Sequence, residues 1–401
     1  MEAPTQLLLG KAYQKLQNRA KACTHYKAAL QKDATCVEAF NSLINNHLLS
    51  GQEERELLMS LQFGPDKEWL QRLYASRLQK YSTAEEAEQI FSSLEEECKF
   101  EESLDLGAAR AEHFFYRSEY AKCYELTQSL LSWDRFHPAV LPIHLSVMVE
   151  LGEKTSLYYC AHNLVDTYPK LAISWYGVGC YYYSISKYDM ARRYFSKAAQ
   201  LDPDFVQAWI AFGNAFAAQD ESDQAMAAYR TSLRLFTGSH LPLLYMGMEY
   251  LRNNNVVQAR RQLDQARAIC PTDPVVLNEI GVALYREKSF TEAVEILETG
   301  LELAQQQRDD HPETWEPTLF NLAHAYRKLG EHEKAVQCYE RCLSICPTKA
   351  STYTALGFTR HLQGEYDTAV DCYHKALGLD SEDLFAVQML QKALTDRVAS
   401  A

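Results

Sequence analysis

Cys338, Cys342 and Cys346 recur every fourth residue, which on a helix would put three thiols on one face and could present thiolates to a metal. The competing use is packing. Cys342 falls at a place held elsewhere in the chain by Ala, Ser or Gly, so a buried seam between helices is expected and a metal is not. The twelve histidines show no HExxH or other ligand spacing, and "HFFYRSEY" around His113 reads as ordinary helix and turn. Serines such as Ser174 have no recognisable base nearby in the pattern, so no catalytic constellation and no cofactor is expected. What remains is dispersed. Asn214, Asn278 and Asn321 carry amides that could hold a peptide main chain, or could satisfy one another or water. Tyr245, Tyr285 and Phe358 could pocket apolar side chains or simply pack, and Arg286, Arg327 and Lys328 could grip carboxylates. These residues become a site only if repeated elements carry them to one surface.

Composition narrows what that surface could meet. The 401 residues carry 53 acidic against 40 basic side chains, a net charge of −13, which disfavours nucleic acid and anionic membrane as partners. The densest acidic stretch, Glu85 to Glu102, includes Glu95, Glu96, Glu97, Glu101 and Glu102 against Lys99, and reads as a solvated helix face or a dock for a basic partner. Eleven cysteines without a CxxC pair suit a reducing, intracellular setting. No apolar run approaches a membrane span, and "TQLLLGKAY" is too short for a signal-peptide core.

The positioning elements show themselves as a period of 34 residues. Units start at 172, 206, 240, 274, 316 and 350, with one step of 42 that places eight extra residues near "RDDHPETW". The eighth place is Gly179, Gly213, Gly247, Gly281, Ala323 and Gly357, and the twentieth is Ala191, Ala225, Ala259, Ala293, Ala335 and Ala369. Two helices approach closely only where a side chain is small, and bulky residues at the fourth, eleventh and twenty-fourth places, such as Trp175, Tyr182 and Phe195, fill the rest. Pro203, Pro271 and Pro347 at place thirty-two are expected to stop the second helix and set the next turn. Paired helices at this period are the tetratricopeptide pattern, so the expected fold is all-α, a right-handed superhelical solenoid.

Weaker copies begin near 104 and 138, another near Ala3, and half a unit at Val37. The expected organisation is N-terminal repeats over 3–58, irregular helices over 59–103, repeats over 104–383 and a capping helix over 384–401, with Val387, Leu390, Leu394 and Val398 along one side. The first unit has no cap before it, which reads as part of a longer array. The inner wall of such a solenoid is made by the first helices, at places 2, 5, 6, 9, 12 and 13, and holds an extended or helical peptide. Candidate groove residues are Tyr176, Asn214, Tyr245, Met248, Asn278, Glu279, Tyr285, Asn321, His324, Arg327 and Phe358. An adaptor for acidic C-terminal tails, as in co-chaperones, would use Arg327 and Lys328, but these are not interleaved with asparagines of adjacent units as such a clamp requires.

"SWYGVGCYYY", "AWIAFGNAFAAQDESDQAMAAY", "HLPLLYMGMEY", "TWEPTLFNLAHAYRKLG" and "STYTALGFTRHLQGEYDTAVDCYHKALGL" together resemble the subunit 6 family of the anaphase-promoting complex, the cell-division-cycle sixteen or Cut-nine type. The resemblance runs over the whole chain. It implies a non-catalytic scaffold of a ubiquitin ligase acting in mitosis, in nucleus and cytoplasm. Its partners would be other subunits of the complex, including a small accessory subunit whose N-terminal segment lies in the groove. Longer family members form a homodimer through N-terminal repeats that this chain mostly lacks.

Overall fold

The computed structural model describes residues 2–46, 48–98, 103–236, 238–306 and 315–400. The described residues form helices and no strands, and none of these helices is long and apolar enough to cross a membrane. Two compact units divide the chain, Met1–Thr272 and Asp273–Ala401.

The first unit opens with α1 (Ala3–Lys15), α2 (Arg19–Lys32), α3 (Val37–Asn45) and α4 (Gly51–Ser60). Next come α5 (Glu68–Arg77) and α6 (Ala84–Cys98), with 3-10 turns at Pro65–Lys67 and Gln79–Tyr81. Five pairs follow. They are α7 (Leu104–Tyr116) with α8 (Tyr120–Trp133), α9 (Val140–Glu150) with α10 (Lys154–Thr167), and α11 (Ala172–Ser184) with α12 (Tyr188–Leu201). The last two are α13 (Val206–Ala217) with α14 (Ser222–Leu235), and α15 (Leu241–Arg252) with α16 (Val256–Ile269). The second unit pairs α17 (Pro274–Glu287) with α18 (Phe290–Gln306), α19 (Glu316–Leu329) with α20 (His332–Ile345), and α21 (Ala350–Leu362) with α22 (Tyr366–Leu379). It closes on α23 (Leu384–Ser400).

The turn inside each pair has one recurring conformation. Every left-handed residue among those described, Gln17, Ser118, Gly152, Ser186, Asp220, Asn254, Lys288, Gly330 and Gly364, stands at place fifteen of a unit. Only three of the nine are glycine, so this turn is imposed by helix pairing more than by local residue preference.

Close helix crossing follows the small-residue pattern. A Cβ on Gly179 would lie 2.5 Å from the Phe195 ring, and one on Gly247 2.6 Å from Leu263; Gly213 and Gly281 oppose Tyr229 and Leu297 in the same way. The weaker units exchange the members of such pairs. Where Leu277 faces Gly300, the unit at 104 has Gly107 against Leu130, 2.6 Å from the missing Cβ. In the unit at 138 the eighth place is Leu145 and the twenty-fourth Ala161, both buried. The volume is conserved at the crossing while the residue pattern is inverted.

The second helices α12, α16 and α20 stop just before Pro203, Pro271 and Pro347 as expected, but α22 stops at the same place without a proline. Asp202 (φ −135°, ψ 96°) precedes Pro203, yet Asp380 (φ −135°, ψ 98°) ends α22 in the same conformation with Ser381 next. Aspartate at place thirty-one makes the turn: Asp33, Asp134, Asp202 and Asp380 each accept from the backbone N–H two residues on, at 2.9 to 3.1 Å. Proline is thus not required, and α14 stops on Phe236 (φ −132°, ψ 75°) with neither aspartate nor proline at these places.

Three further expectations meet the structure with changes. Helix α18 has 17 residues where α20 and α22 have 14, so the inserted eight begin by lengthening a helix; most of "RDDHPETW" lies outside the described residues. In the acidic stretch Glu88 and Glu95 are bound by Arg110 at 3.1 and 2.8 Å, while Lys99, Glu101, Glu102 and the Glu97 side chain lie outside the described residues. On α23 Ala386 and Ala393 are fully buried, and Ala393, Met389 and Leu390 pack against Ala369, Val370 and Tyr373. Leu394 and Val398 are 41% and 78% exposed, because the small alanines bring the helix in on a rotated face.

Candidate peptide groove

Five first helices of the Met1–Thr272 unit line a cavity of about 760 Å³. Helix α7 gives Ala108, Ala109, Glu112, Phe115 and Tyr116; α9 gives Pro142, Ile143, Ser146, Val149 and Glu150; α11 gives Ile173, Tyr176, Cys180 and Tyr183. Helix α13 adds Gln207, Ile210, Ala211 and Asn214, and α15 adds Leu241 and Tyr245. Nearly all stand at places 2, 5, 6, 9, 12 or 13, because a 34-residue repeat of paired helices turns the same stripe inward each time. Ile44 and Asn45 of α3 and Arg77 of α5 line it as well, with Arg77 donating to Asn45 Oδ1 at 2.8 Å.

Of the candidate residues in this unit, Tyr176, Asn214 and Tyr245 lie on the cavity wall. The Tyr176 hydroxyl is 2.8 Å from Ser146 Oγ, and burial raises its phenol well above the ordinary value. Asn214 Oδ1 accepts from Tyr229 OH at 2.7 Å, and the Tyr229 and Tyr245 rings stack at 5.6 Å. Met248 is half-buried and does not line the cavity. Glu112, Ser146 and Glu150 were not among the candidates, although the same places counted in the weaker units at 104 and 138 would have found them.

The chemistry of the wall is that of binding. Burial pushes the Cys180 thiol up to about 12, and burial, with Glu150 and Tyr188 following, does the same for the Tyr183 phenol. The Glu150 carboxyl is raised by burial too. An activated nucleophile needs the opposite shift, so these groups are held toward neutral forms that donate and accept hydrogen bonds.

In the Asp273–Ala401 unit, Asn278 Nδ2 donates to Glu279 Oε1 at 3.0 Å and Asn321 Nδ2 donates to Asn278 Oδ1 at 2.9 Å. Two of the three asparagines therefore satisfy each other in part, leaving the Asn321 carbonyl and one N–H of each amide for a further partner. Burial raises the Glu279 carboxyl against the opposing effects of Asn278 and Arg286. His324 Nδ1 bonds the Tyr339 hydroxyl, and its ring lies 4.4 Å from Phe320 and 6.5 Å from Tyr285. The Arg327 guanidinium sits 4.9 Å over the Phe358 ring, which in turn meets Phe385 at 5.8 Å. Cys342 is fully buried and points at the Glu316 carbonyl, 3.8 Å away, with its thiol pushed up to about 12 by burial. No group of three potential metal ligands occurs among the described residues.

Tetratricopeptide-repeat models match residues 5–47, 176–240, 273–348 and 338–371. Anaphase-promoting complex subunit 6 of Arabidopsis thaliana is 47% identical over 97% of this chain and 73% of its own length. The chain belongs to the anaphase-promoting complex subunit 6 family. Two other members of that family are the human cell division cycle protein 16 homolog, 41% identical over 96% of this chain, and subunit cut9 of Schizosaccharomyces pombe, 35% identical over 99%. The chain spans 62% and 60% of those two family members. A solved crystal structure of the APC/C hetero-tetramer Cut9–Hcn1 superposes with a TM-score of 0.89 at 34% identity, over 98% of this chain and 76% of that one. Kinship with this family points away from the acidic-tail adaptor.

Proposed function

We propose that this chain is a non-catalytic scaffold subunit of an anaphase-promoting complex ubiquitin ligase, working in cell-cycle-regulated ubiquitination in nucleus and cytoplasm. Its inner wall clasps an extended segment of a small accessory subunit. The observation that carries this reading is the likeness, over 98% of the chain, to a structure in which a subunit 6 relative is assembled with a second, named subunit. The wall of amides, phenols and apolar side chains around Tyr176, Asn214 and Tyr245 suits a peptide held by both main chain and side chains. In the second unit, taken by itself, Asn278, Glu279, Tyr285, Asn321, His324, Arg327 and Phe358 are the proposed peptide contacts, and Met248 is a further apolar candidate in the first. We read 3–58 as N-terminal repeats, 59–103 as an irregular connection, 104–383 as the working array and 384–401 as its cap. A longer form carrying more N-terminal repeats would form a homodimer.

Co-expression with the small accessory subunit tests the reading. A partner that binds only the folded state raises the melting temperature by mass action. Purification from mitotic cells should also recover cullin and RING-type ligase subunits. Loss of both results would sink the proposal.

A further inference from the structure

The arm formed by α1 to α5 meets α13 to α15 of the same unit across more than 150 residues of sequence, and Arg19 makes three of the contacts there, to Asp204, Leu235 and Phe236. Arg19 Nη2 reaches Asp204 Oδ1 at 2.5 Å, a residue 185 positions away that itself lines the cavity. Its other terminal nitrogen donates to the Leu235 carbonyl at the end of α14 and to the Asn46 carbonyl at 3.2 Å. The guanidinium carbon also sits 4.8 Å over the Phe236 ring. Beside it, Tyr81 OH donates to the Gly238 carbonyl at 3.2 Å, and Tyr81 and Tyr116 meet the His240 ring edge-on at 5.3 and 5.7 Å.

Nothing local explains Arg19. It is the first residue of α2, a helix with no acid in its first turn, so its charge opposes the positive end of its own helix dipole. At the far side the same charge meets the negative end of α14, a carboxylate and an aromatic face, where each contact is favourable. The planar fork of arginine can serve these partners together, which a lysine could not.

We propose that Arg19 is a clasp: its ion pair with Asp204 holds the α1 to α5 arm against α13 to α15 and so governs access to the cavity, and, on the reading of that cavity as a peptide groove, sets how fast an occupant leaves. The elements on the two sides of the clasp are those that contribute Ile44, Asn45 and Arg77 on one hand and Asn214, Leu241 and Tyr245 on the other. Opening the junction would separate the two parts of the wall without disturbing the stacked pairs α7 to α12.

Cys180 reports on this without any partner, since it lines the cavity and is 2% exposed. Iodoacetamide labelling of the free full chain, resolved by peptide mass spectrometry, should proceed at least threefold faster at Cys180 in Arg19→Ala and Asp204→Asn, with Cys342 of the other unit unchanged. Arg19→Lys should fall between. Should Arg19→Ala fail to fold, Asp204→Asn, whose side chain is a quarter exposed, decides the matter. Unchanged Cys180 labelling in folded variants overturns the clasp. In a second arm, a fluorescent peptide of the accessory subunit's N-terminal segment should dissociate at least tenfold faster from both variants. An unchanged rate beside faster labelling overturns the control of release. Failure of the wild-type chain to bind the peptide would count against the proposed function, while the labelling arm would still decide the clasp.

Discussion

The Tyr229 hydroxyl donates to Asn214 Oδ1 at 2.7 Å, joining the twenty-fourth place of a unit to the ninth. His324 and Tyr339 repeat the pairing. In the unit at 350 the ninth place is Phe358, and the buried Tyr373 hydroxyl is left without a partner. The same tyrosine thus performs a polar role in two units and only a packing role in a third.

Tyr229→Phe should therefore lower stability by about 1 kcal/mol, whereas Tyr373→Phe should be neutral or stabilise by about 1 kcal/mol, since it removes an unsatisfied buried hydroxyl. Urea denaturation followed by circular dichroism would compare them. Equal losses in the two variants would contradict the assignment.

Crossing volume gives a second expectation. Gly107→Ala puts a methyl 2.6 Å from Leu130, and Gly179→Ala puts one 2.5 Å from Phe195, each costing about 1–3 kcal/mol by overpacking. Adding Leu130→Ala to Gly107→Ala should recover part of that loss, so the double variant would be less damaged than the sum of the singles. Strict additivity in thermal melts would refute the exchanged-volume account.

Turn conformation gives a third. Lys288 adopts φ 68°, so Lys288→Gly should relieve about 1 kcal/mol of backbone strain, less the flexibility glycine adds to the unfolded chain. Gly330→Ala, at φ 85°, should destabilise by about 1 kcal/mol. Opposite signs in the two melting shifts are the expected result.

Acid sensitivity gives a fourth. Burial, with Arg327 and Lys328 nearby, lowers the His324 imidazole from 6.5 to about 4. Below pH 6.5 the unfolded chain takes up a proton that the folded chain refuses. This contribution is thus complete above 6.5 and is lost as pH falls toward 4, by up to about 3 kcal/mol. His324→Asn, which places at this site the residue that Tyr229 uses elsewhere, should keep a bond to Tyr339 and flatten the dependence between pH 6.5 and 4. A denaturation series across that range that retained its slope would rule out His324 as the source.

Much of the wall was readable by counting. Places 2, 5, 6, 9, 12 and 13 supply most of the cavity wall in the units from 104 to 240, with Met248 at a ninth place the exception, so Tyr176, Asn214 and Tyr245 could be named from spacing. Glu112, Ser146 and Glu150 stand at the same places in the weaker units at 104 and 138, whose inverted size pairs, Gly107 with Leu130 and Leu145 with Ala161, satisfy packing while breaking the letter pattern. Aspartate at place thirty-one escaped because its effect, a bond to the amide two residues on, is invisible until the turn exists.

Sequence alone determined the helices, their pairing and the stripe each turns inward, because these depend on side-chain size at neighbouring places within one repeat. Tertiary structure alone decided that Asn278 and Asn321 bond each other, that α23 buries Ala386 and Ala393 in preference to Leu394 and Val398, and that Arg19 finds Asp204. Those outcomes depend on small rotations accumulated from pair to pair, and no local pattern of residues records the distance at which two remote parts of a winding chain come to meet.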